Sequence, residues 1–347
     1  MQYETLGNTD VKVSKLCLGS MTWGCQNNEK EAHEQLDMAL GRGVNFIDTA
    51  EMYAVPSSAD TFGATESIIG KWLMRRKNRS RVILATKVVG PCGDWMPHIR
   101  GGDTHLNRKN VLAALEGSLR RLRTDYVDLY QVHWPERKTN YFGKLGYEHD
   151  PATPAVTIEE TLAALAECVA AGKARWIGLS NETPWGIHAY ISAADKLGLP
   201  RPVSIQNPYS LLNRTFEVGL AEMAIQEHTG LLAYSPLGFG MLAGKYLNDS
   251  RPPDARLTLF PQFTRYMSPR SVRATEAYHQ LAGDHGLSPA QMALAYVTSR
   301  AFVTSTIIGA TTGTQLEQNL DSLHVTLPEE VLRGIEKIHK ENPNPAP

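Results

Sequence analysis

Short apolar runs alternate with helical patterns along nearly the whole chain. Leu16-Cys17-Leu18-Gly19 is the first such run. Glu29 to Gly41 then carries Ala32, Leu36, Ala39 and Leu40 at helical spacing, with Gly43 close behind as a stop. From there one unit repeats. Strand 45–49 precedes helix 66–76, strand 82–87 precedes helix 108–123, and strand 127–133 precedes helix 158–171. Strand 175–180 precedes helix 184–197, and strand 203–206 precedes helix 216–228. Strand 231–235 precedes helical stretches 271–285 and 289–300, and strand 305–309 precedes helix 312–322. Ahead of all these, Gln2 to Leu6 and Val11 to Lys15 flank the polar Gly7-Asn8-Thr9-Asp10, the pattern of a β-hairpin.

The strands are apolar without clean alternation, as expected when both faces are buried in a parallel sheet. Gly172, Gly198 and Gly286 fall where helices should end. Counting the run at 16–19, there are eight strand-then-helix units. That count predicts the α/β class and a (β/α)8 TIM barrel, with the hairpin in front and residues 1–347 as one domain. A doubly wound open sheet alternates in the same way. It is weakened here because no Gly-x-Gly-x-x-Gly turn follows any predicted strand. Three connections are long, 88–107, 134–156 and 236–270. Each follows a strand, so in a barrel all three rise on the C-terminal face, where active sites are built. The tail from Glu341 to Pro347 is rich in proline and is expected not to be helical.

Composition narrows the partners. Hydrophobic residues make up 42% and charged residues 20%, an ordinary globular profile. A formal charge of -1 gives no electrostatic reason to expect nucleic acid or an anionic membrane. Met1-Gln2-Tyr3-Glu4-Thr5 lacks the basic start and apolar run of a signal peptide. No stretch approaches the roughly 18 apolar residues of a membrane span. Cys17, Cys25, Cys92 and Cys168 form no Cys-x-x-Cys pair and suit neither a zinc site nor a disulfide framework. A reduced, cytoplasmic protein with no evident protein partner is expected.

Candidate chemistry lies at three consecutive strand ends. Asp48 and Tyr53 follow the strand at 45–49, Lys87 ends the next, and His133 ends the one after. Neighbouring strands of a barrel would bring the four to one rim. A phenol's ordinary pKa, near 10, is too high for ready proton exchange at neutral pH. A nearby ammonium lowers it, a carboxylate keeps that ammonium charged and placed, and an imidazole can orient a carbonyl oxygen. The set suits proton transfer to an oxygen while something else supplies hydride. Singly, each residue has a plainer reading. Asp48-Thr49 would be a helix N-cap, His133 a core histidine or metal ligand, and Tyr53 and Lys87 solvated loop residues. A metal is not expected, because no His-x-x-x-His or Cys cluster supplies further ligands.

Six stretches in order resemble the aldo-keto reductase superfamily. They are Leu18 to Gly24, Phe46 to Tyr53, Ala85-Thr86-Lys87, Asp128 to Trp134, Ile177 to Asn181 and Tyr234-Ser235-Pro236-Leu237. Within it, Gln131 to Pro135, Phe142 to Tyr147 and Gln206 to Arg214 are most similar to the bacterial Tas-type NADP(H)-dependent reductases. The resemblance implies a (β/α)8 barrel that reduces aldehydes or ketones. Tyr53 would be the general acid, Lys87 would lower its pKa, Asp48 would pair with Lys87, and His133 would orient the carbonyl. It also implies a nicotinamide cofactor across the barrel mouth. Tyr234 would stack on the nicotinamide, and Ser180, Asn181 and Gln206 would bind its carboxamide. Ser235, Leu237 and Gly240 would follow the pyrophosphate, with Lys245 as a cation. Gly309, Thr311, Gln315, Gln318 and Asn319 would hold the adenosine end. Trp23 is assigned to both cofactor and substrate, and Trp95, Trp134 and Tyr141 to an aromatic substrate pocket. Many family members place an arginine where Gln315 stands. NADP(H) is the expected cofactor, with Lys245 or Arg251 as compensation and NAD(H) as the alternative.

Without the family, Ser180-Asn181 reads equally as an N-cap and Tyr234 as core packing. Two other functions stay open. Lys87 could attack a carbonyl as the amine of a Schiff-base lyase. The chain could also be a cofactor-binding regulatory subunit, as in relatives that serve ion channels.

Overall fold

The computed structural model describes residues 1–347. The polar turn after Leu6 closes a small antiparallel hairpin, β1 (Tyr3–Thr5) and β2 (Lys12–Ser14), with Glu4 opposite Val13. Leu6 and Val13 face inward and are fully buried with Cys17, Phe46, Ala85, Leu129, Val203, Leu232 and Ile307. Those partners come from the barrel strands and the segments leading into them, so the hairpin plugs the barrel's N-terminal end.

The barrel is a closed ring of eight parallel strands. They are β3 (Leu16–Gly19), β4 (Phe46–Asp48), β5 (Ile83–Val88), β6 (Val127–Val132), β7 (Ala174–Ser180), β8 (Ile205–Pro208), β9 (Leu231–Tyr234) and β10 (Val303–Ile308). Each strand pairs with its sequence neighbours, and β10 closes on β3 through Ile308 opposite Leu18. The expected (β/α)8 barrel is the observed fold. The strands are buried on both faces, against the barrel lumen and against helices, which is why their sequences do not alternate.

The helical layer comprises α1 (Glu29–Gly41), α2 (Ala64–Arg76), α3 (Arg108–Leu122), α4 (Ile158–Ala170), α5 (Pro184–Leu197), α6 (Phe216–Gln226), α7 (Arg256–Leu259), α8 (Pro269–Asp284), α9 (Pro289–Thr298), α10 (Gly313–Asp321) and α11 (Glu329–Glu341). Local chemistry fixes their starts. Asn28 and Glu31 form a reciprocal capping box on α1. Asn107, Thr157, Thr183, Ser268 and Thr312 each cap a helix through the side chain, and proline opens α5, α8 and α9. Gly198 ends α5 in the left-handed region at φ 64. At Gly70 a Cβ would lie 2.2 Å from the Arg121 main-chain oxygen, so α2 and α3 touch there only because that position lacks a side chain.

The structure adds α7 and α11 to the elements read from sequence, and shifts β8 two residues later than 203–206. In α11, Val331 and Ile335 are buried on one face against the barrel's other helices, the usual apolar stripe of a surface helix. The tail beyond it is not helical. It runs back over the mouth, where Ala346 donates to the Leu212 oxygen and Ser268 and Ser271 donate to the Pro345 oxygen. No helix is long and apolar enough to cross a membrane.

Candidate active site

Parallel register puts the ends of β4, β5, β6, β7 and β8 side by side. Asp48 lies opposite Ala85, Lys87 opposite Gln131, and Ser180 opposite Gln206. Asp48, Lys87 and Gln206 are almost completely excluded from solvent. The Lys87 ammonium donates 2.6 Å to Asp48 Oδ2 and 2.8 Å to the Thr49 main-chain oxygen. Its remaining donor faces the Tyr53 phenol, and Nζ lies 5.0 Å from that ring's centroid. The other carboxylate oxygen, Asp48 Oδ1, accepts from Gln206 Nε2 at 2.8 Å and Gln131 Nε2 at 3.2 Å. A buried ion pair endures only when its leftover lone pairs are satisfied, and these amides do that.

The charges follow from this packing. Burial opposes the Lys87 charge, but Asp48 and Tyr53 outweigh it and hold the ammonium's pKa above its ordinary value. Tyr53 is moved up by burial, against the pull of Lys87, so the phenol rests protonated. The ammonium does not bring Tyr53 below its ordinary value, as the sequence led us to expect. It limits the rise. His133 is driven well below its ordinary value by burial, reinforced by Lys87, so its ring is neutral. Its Nδ1 has no partner within the protein. The ring meets Tyr53 edge-on, with centroids 5.8 Å apart.

A cleft of about 710 Å³ opens above this floor. Asp48, Tyr53 and His133 line it, and Lys87 lies behind them. So do Ser180, Asn181, Gln206, Tyr234, Ser235, Leu237, Gly240, Lys245, Gly309, Thr311, Gln315, Gln318 and Asn319. The plainer readings fail for several of these. Thr183, not Ser180 or Asn181, caps α5, and the helix after Asp48-Thr49 starts only at Ala64. Asn181 instead donates to the His133 oxygen at 2.9 Å and accepts from the Tyr234 hydroxyl at 2.7 Å. Gln315 Oε1 accepts from the Thr311 N–H and hydroxyl, which leaves its amide nitrogen free.

Two assignments need correction, Trp23 to cofactor and substrate and Tyr141 to substrate. Trp23 does not reach the cleft. It is fully buried, and its indole N–H donates 3.1 Å to Gln35 Oε1 on α1, while Met21 and Thr22 take the lining positions. Tyr141 is half-buried against the cluster around Tyr53 and Trp134, and the lining position falls to its neighbour Phe142. Trp95 and Trp134 do line the cleft, with ring centroids 5.8 Å apart, and Trp134 lies 5.0 Å from the His133 ring.

Other lining or supporting residues carried no sequence signal. Glu51 takes both Arg100 Nη groups, at 2.6 and 3.0 Å, and the Val89 N–H, pinning the β5 loop that bears Trp95. Arg256 stacks over Phe239 at 4.7 Å. Lys245 and Arg256 both face the cleft, and neither has a carboxylate partner. Burial lowers the pKa of each, and Arg256 adds to the effect on Lys245. Two uncompensated cations beside an open cleft form a seat for an anion. The site therefore fits a nicotinamide dinucleotide. Asn181, Tyr234, Gln315 and Asn319 line it with neutral polar groups, and the Lys245–Arg256 pair offers charge for phosphates.

The Aldo/keto reductase family matches residues 15–340. Protein tas of Escherichia coli is 54% identical over 347 residues, covering all of both chains. An uncharacterized oxidoreductase, YrpG, of Bacillus subtilis is 34% identical over 97% of this chain and 96% of its own. A probable voltage-gated potassium channel subunit beta of rice is 32% identical over 99% of this chain and 98% of its own.

Proposed function

The chain belongs to the aldo/keto reductase family, and we propose that it is an NADP(H)-dependent reductase that turns aldehydes or ketones into alcohols, with Tyr53 as the general acid. The observation that carries this reading is the buried Lys87–Asp48 pair beneath a protonated Tyr53, beside a neutral His133, on the floor of the cleft. A reduced nicotinamide, when bound, supplies hydride to the carbonyl carbon. The chain does the rest. The neutral His133 ring donates an N–H to the carbonyl oxygen and turns it towards Tyr53. Tyr53 Oη gives its proton to that oxygen as charge builds there. Lys87, held charged by Asp48, stabilises the phenolate left behind. Trp95, Trp134 and Phe142 wall the site and limit water.

Ser180, Asn181, Gln206 and Tyr234 would hold the nicotinamide end. Ser235, Leu237, Gly240, Lys245 and Arg256 would hold the phosphates, and Gly309, Thr311, Gln315, Gln318 and Asn319 the adenosine. NADP(H) is favoured over NAD(H) on the reading that Lys245 and Arg256, both free of carboxylates, supply the charge for the ribose phosphate where Gln315 offers only a neutral amide; Arg251, expected to share that task, is exposed, bonds the Ser250 oxygen and does not line the cleft. The four free cysteines suit the cytoplasm as its setting.

The lyase reading is disfavoured by a specific observation. A Schiff-base lysine must be reachable and neutral, and Lys87 is fully buried and held as an ammonium. The channel-subunit reading rests on the rice relative's name, and the complete tetrad favours turnover instead. The test is a titration of the protein with NADPH and NADH by tryptophan quenching, followed by a carbonyl screen. Tight NADPH binding with turnover that Tyr53→Phe abolishes supports the proposal. Binding of neither cofactor removes it.

A further inference from the structure

Gln131 sits beneath the tetrad and does not line the cleft. It lies on β6, opposite Lys87 on β5 and Gly178 on β7, and it is fully buried. Its Nε2 donates 3.2 Å to Asp48 Oδ1, and its Oε1 accepts from Gln206 Nε2 at 3.3 Å. Gln206 Nε2 donates to the same Asp48 oxygen at 2.8 Å. Side chains from β6 and β8 thus close on one oxygen of the β4 carboxylate, while the other meets the Lys87 ammonium at 2.6 Å. Bare backbone on β7 leaves the amide its place. A Cβ on Gly178 would lie 3.1 Å from Gln131 Cγ and 2.8 Å from Ser204 Oγ.

The two amides are not equivalent. Gln206 lines the cleft, where the reductase reading has it meet the nicotinamide carboxamide. An arriving cofactor competes for Gln206 and cannot reach Gln131. The Gln131 donor therefore stays on Asp48 whatever fills the cleft. An amide also carries no charge, so it fixes the carboxylate without altering the charge of the floor. The ionisable groups around the network leave that charge to Asp48 and Lys87. Cys17 on β3 faces both, and burial holds its thiol neutral. His133 is neutral, and burial pushes the Tyr234 phenol up. Arg256 acts on Tyr53 from the β9 loop.

Building on the reductase reading, we propose that Gln131 is a positioning residue, which holds Asp48 so that its second oxygen faces Lys87 and thereby sets how readily Tyr53 gives up its proton. With Oδ1 taken by the amides, Oδ2 is left to Lys87, and Lys87 faces the Tyr53 phenol. A carboxylate released at Oδ1 turns both oxygens to the ammonium and draws it from the phenol. The phenolate then forms with less support.

Two variants test this. Gln131→Met keeps the length of the side chain and removes the donor. It should lower kcat for an aldehyde with NADPH by roughly tenfold, the worth of one hydrogen bond to a charged group. NADPH affinity, read by tryptophan quenching, should change far less. Gln131→Glu sets a second carboxyl against Asp48, and two such groups share one proton. While protonated, the introduced carboxyl donates to Asp48 Oδ1 as the amide does, so kcat should approach the parent value at acid pH. As pH rises and that proton leaves, the added charge opposes the phenolate. The ratio of variant to parent kcat should then fall by roughly tenfold or more. Parent kcat in Gln131→Met, or a loss in Gln131→Glu that is equal at every pH, would mean that Gln131 only fills space.

A third measurement needs no turnover. The introduced carboxyl has its pKa raised in the folded protein above its unfolded value. In urea unfolding, Gln131→Glu should therefore differ least from the parent below the unfolded value and lose stability as pH rises through the folded one. A difference that does not vary with pH would place the introduced carboxyl away from Asp48 and overturn the proposal. If the parent reduces no carbonyl, the reductase reading falls and the catalytic role of Gln131 with it, whereas the unfolding series still reports its hold on Asp48.

Discussion

Replacing Lys87 by methionine should damage stability and activity by separable routes. Lys87 is wholly buried and Asp48 almost so, at 2% exposure. Removing the ammonium leaves the Asp48 carboxylate in that interior with only the Gln206 and Gln131 amides, at 2.8 and 3.2 Å, and the Thr49 oxygen loses its donor. Breaking a buried pair by deleting one partner costs about 3–5 kcal/mol, because the survivor's charge is uncompensated. The double variant Asp48→Asn/Lys87→Met removes both charges, so it should recover at least half of that loss. Activity should behave otherwise. Both variants lack the ammonium that stabilises the Tyr53 phenolate, so both should lose roughly 10²- to 10⁴-fold in kcat/KM for an aldehyde with NADPH. Urea unfolding and steady-state reduction, run on the same preparations, read the two quantities. The reasoning is refuted if the double variant is no more stable than Lys87→Met, or if either one reduces aldehydes at close to the parent rate.

Three other outcomes rest on particular contacts. NADPH affinity should be fully present at neutral pH and fall as pH rises into the alkaline range. Burial and Arg256 lower the Lys245 pKa in the free protein, a bound phosphate raises it, and affinity is lost as pH passes from the first value through the second; a pH titration of NADPH binding checks this. Arg256→Met should weaken NADPH by roughly tenfold and NADH by less, read by the same quenching titration. Gly70→Ala should cost at least about 1–3 kcal/mol in urea unfolding, because its Cβ would lie 2.2 Å from the Arg121 oxygen, and NADPH binding should be unaltered in the protein that folds.

The barrel was legible because its strands and caps are local. Apolar runs closed by glycine or opened by Asn, Thr or Ser mark elements without reference to distant residues, and eight in order leave few topologies. The tetrad was legible for the same reason, since strand ends in a barrel converge by construction. Residues on long loops were not. Trp23 is an aromatic just past β3, and nothing in its neighbours says that Gln35 on α1 will claim its indole N–H and draw it inward. Tyr141 and Phe142 are adjacent aromatics, and only the loop's path decides which of them lines the cleft. Arg256 and Arg265 lie in a stretch of the 236–270 loop without periodicity, where a charged side chain reads as solvated until the fold buries it. The main-chain oxygen of Thr49, which takes one Lys87 hydrogen, has no signature in sequence at all. Helix α11 went unread even though Val331, Leu332, Ile335 and Ile338 mark its apolar face, because the eight units were already complete without it.

The central claim is that Tyr53 gives the proton that completes carbonyl reduction. It is tested most directly by single-turnover oxidation of protein-bound NADPH by para-nitrobenzaldehyde, in the parent and in Tyr53→Phe. The account predicts that the variant still binds NADPH and oxidises it roughly 10²- to 10⁴-fold more slowly. Oxidation at the parent rate in Tyr53→Phe would contradict it.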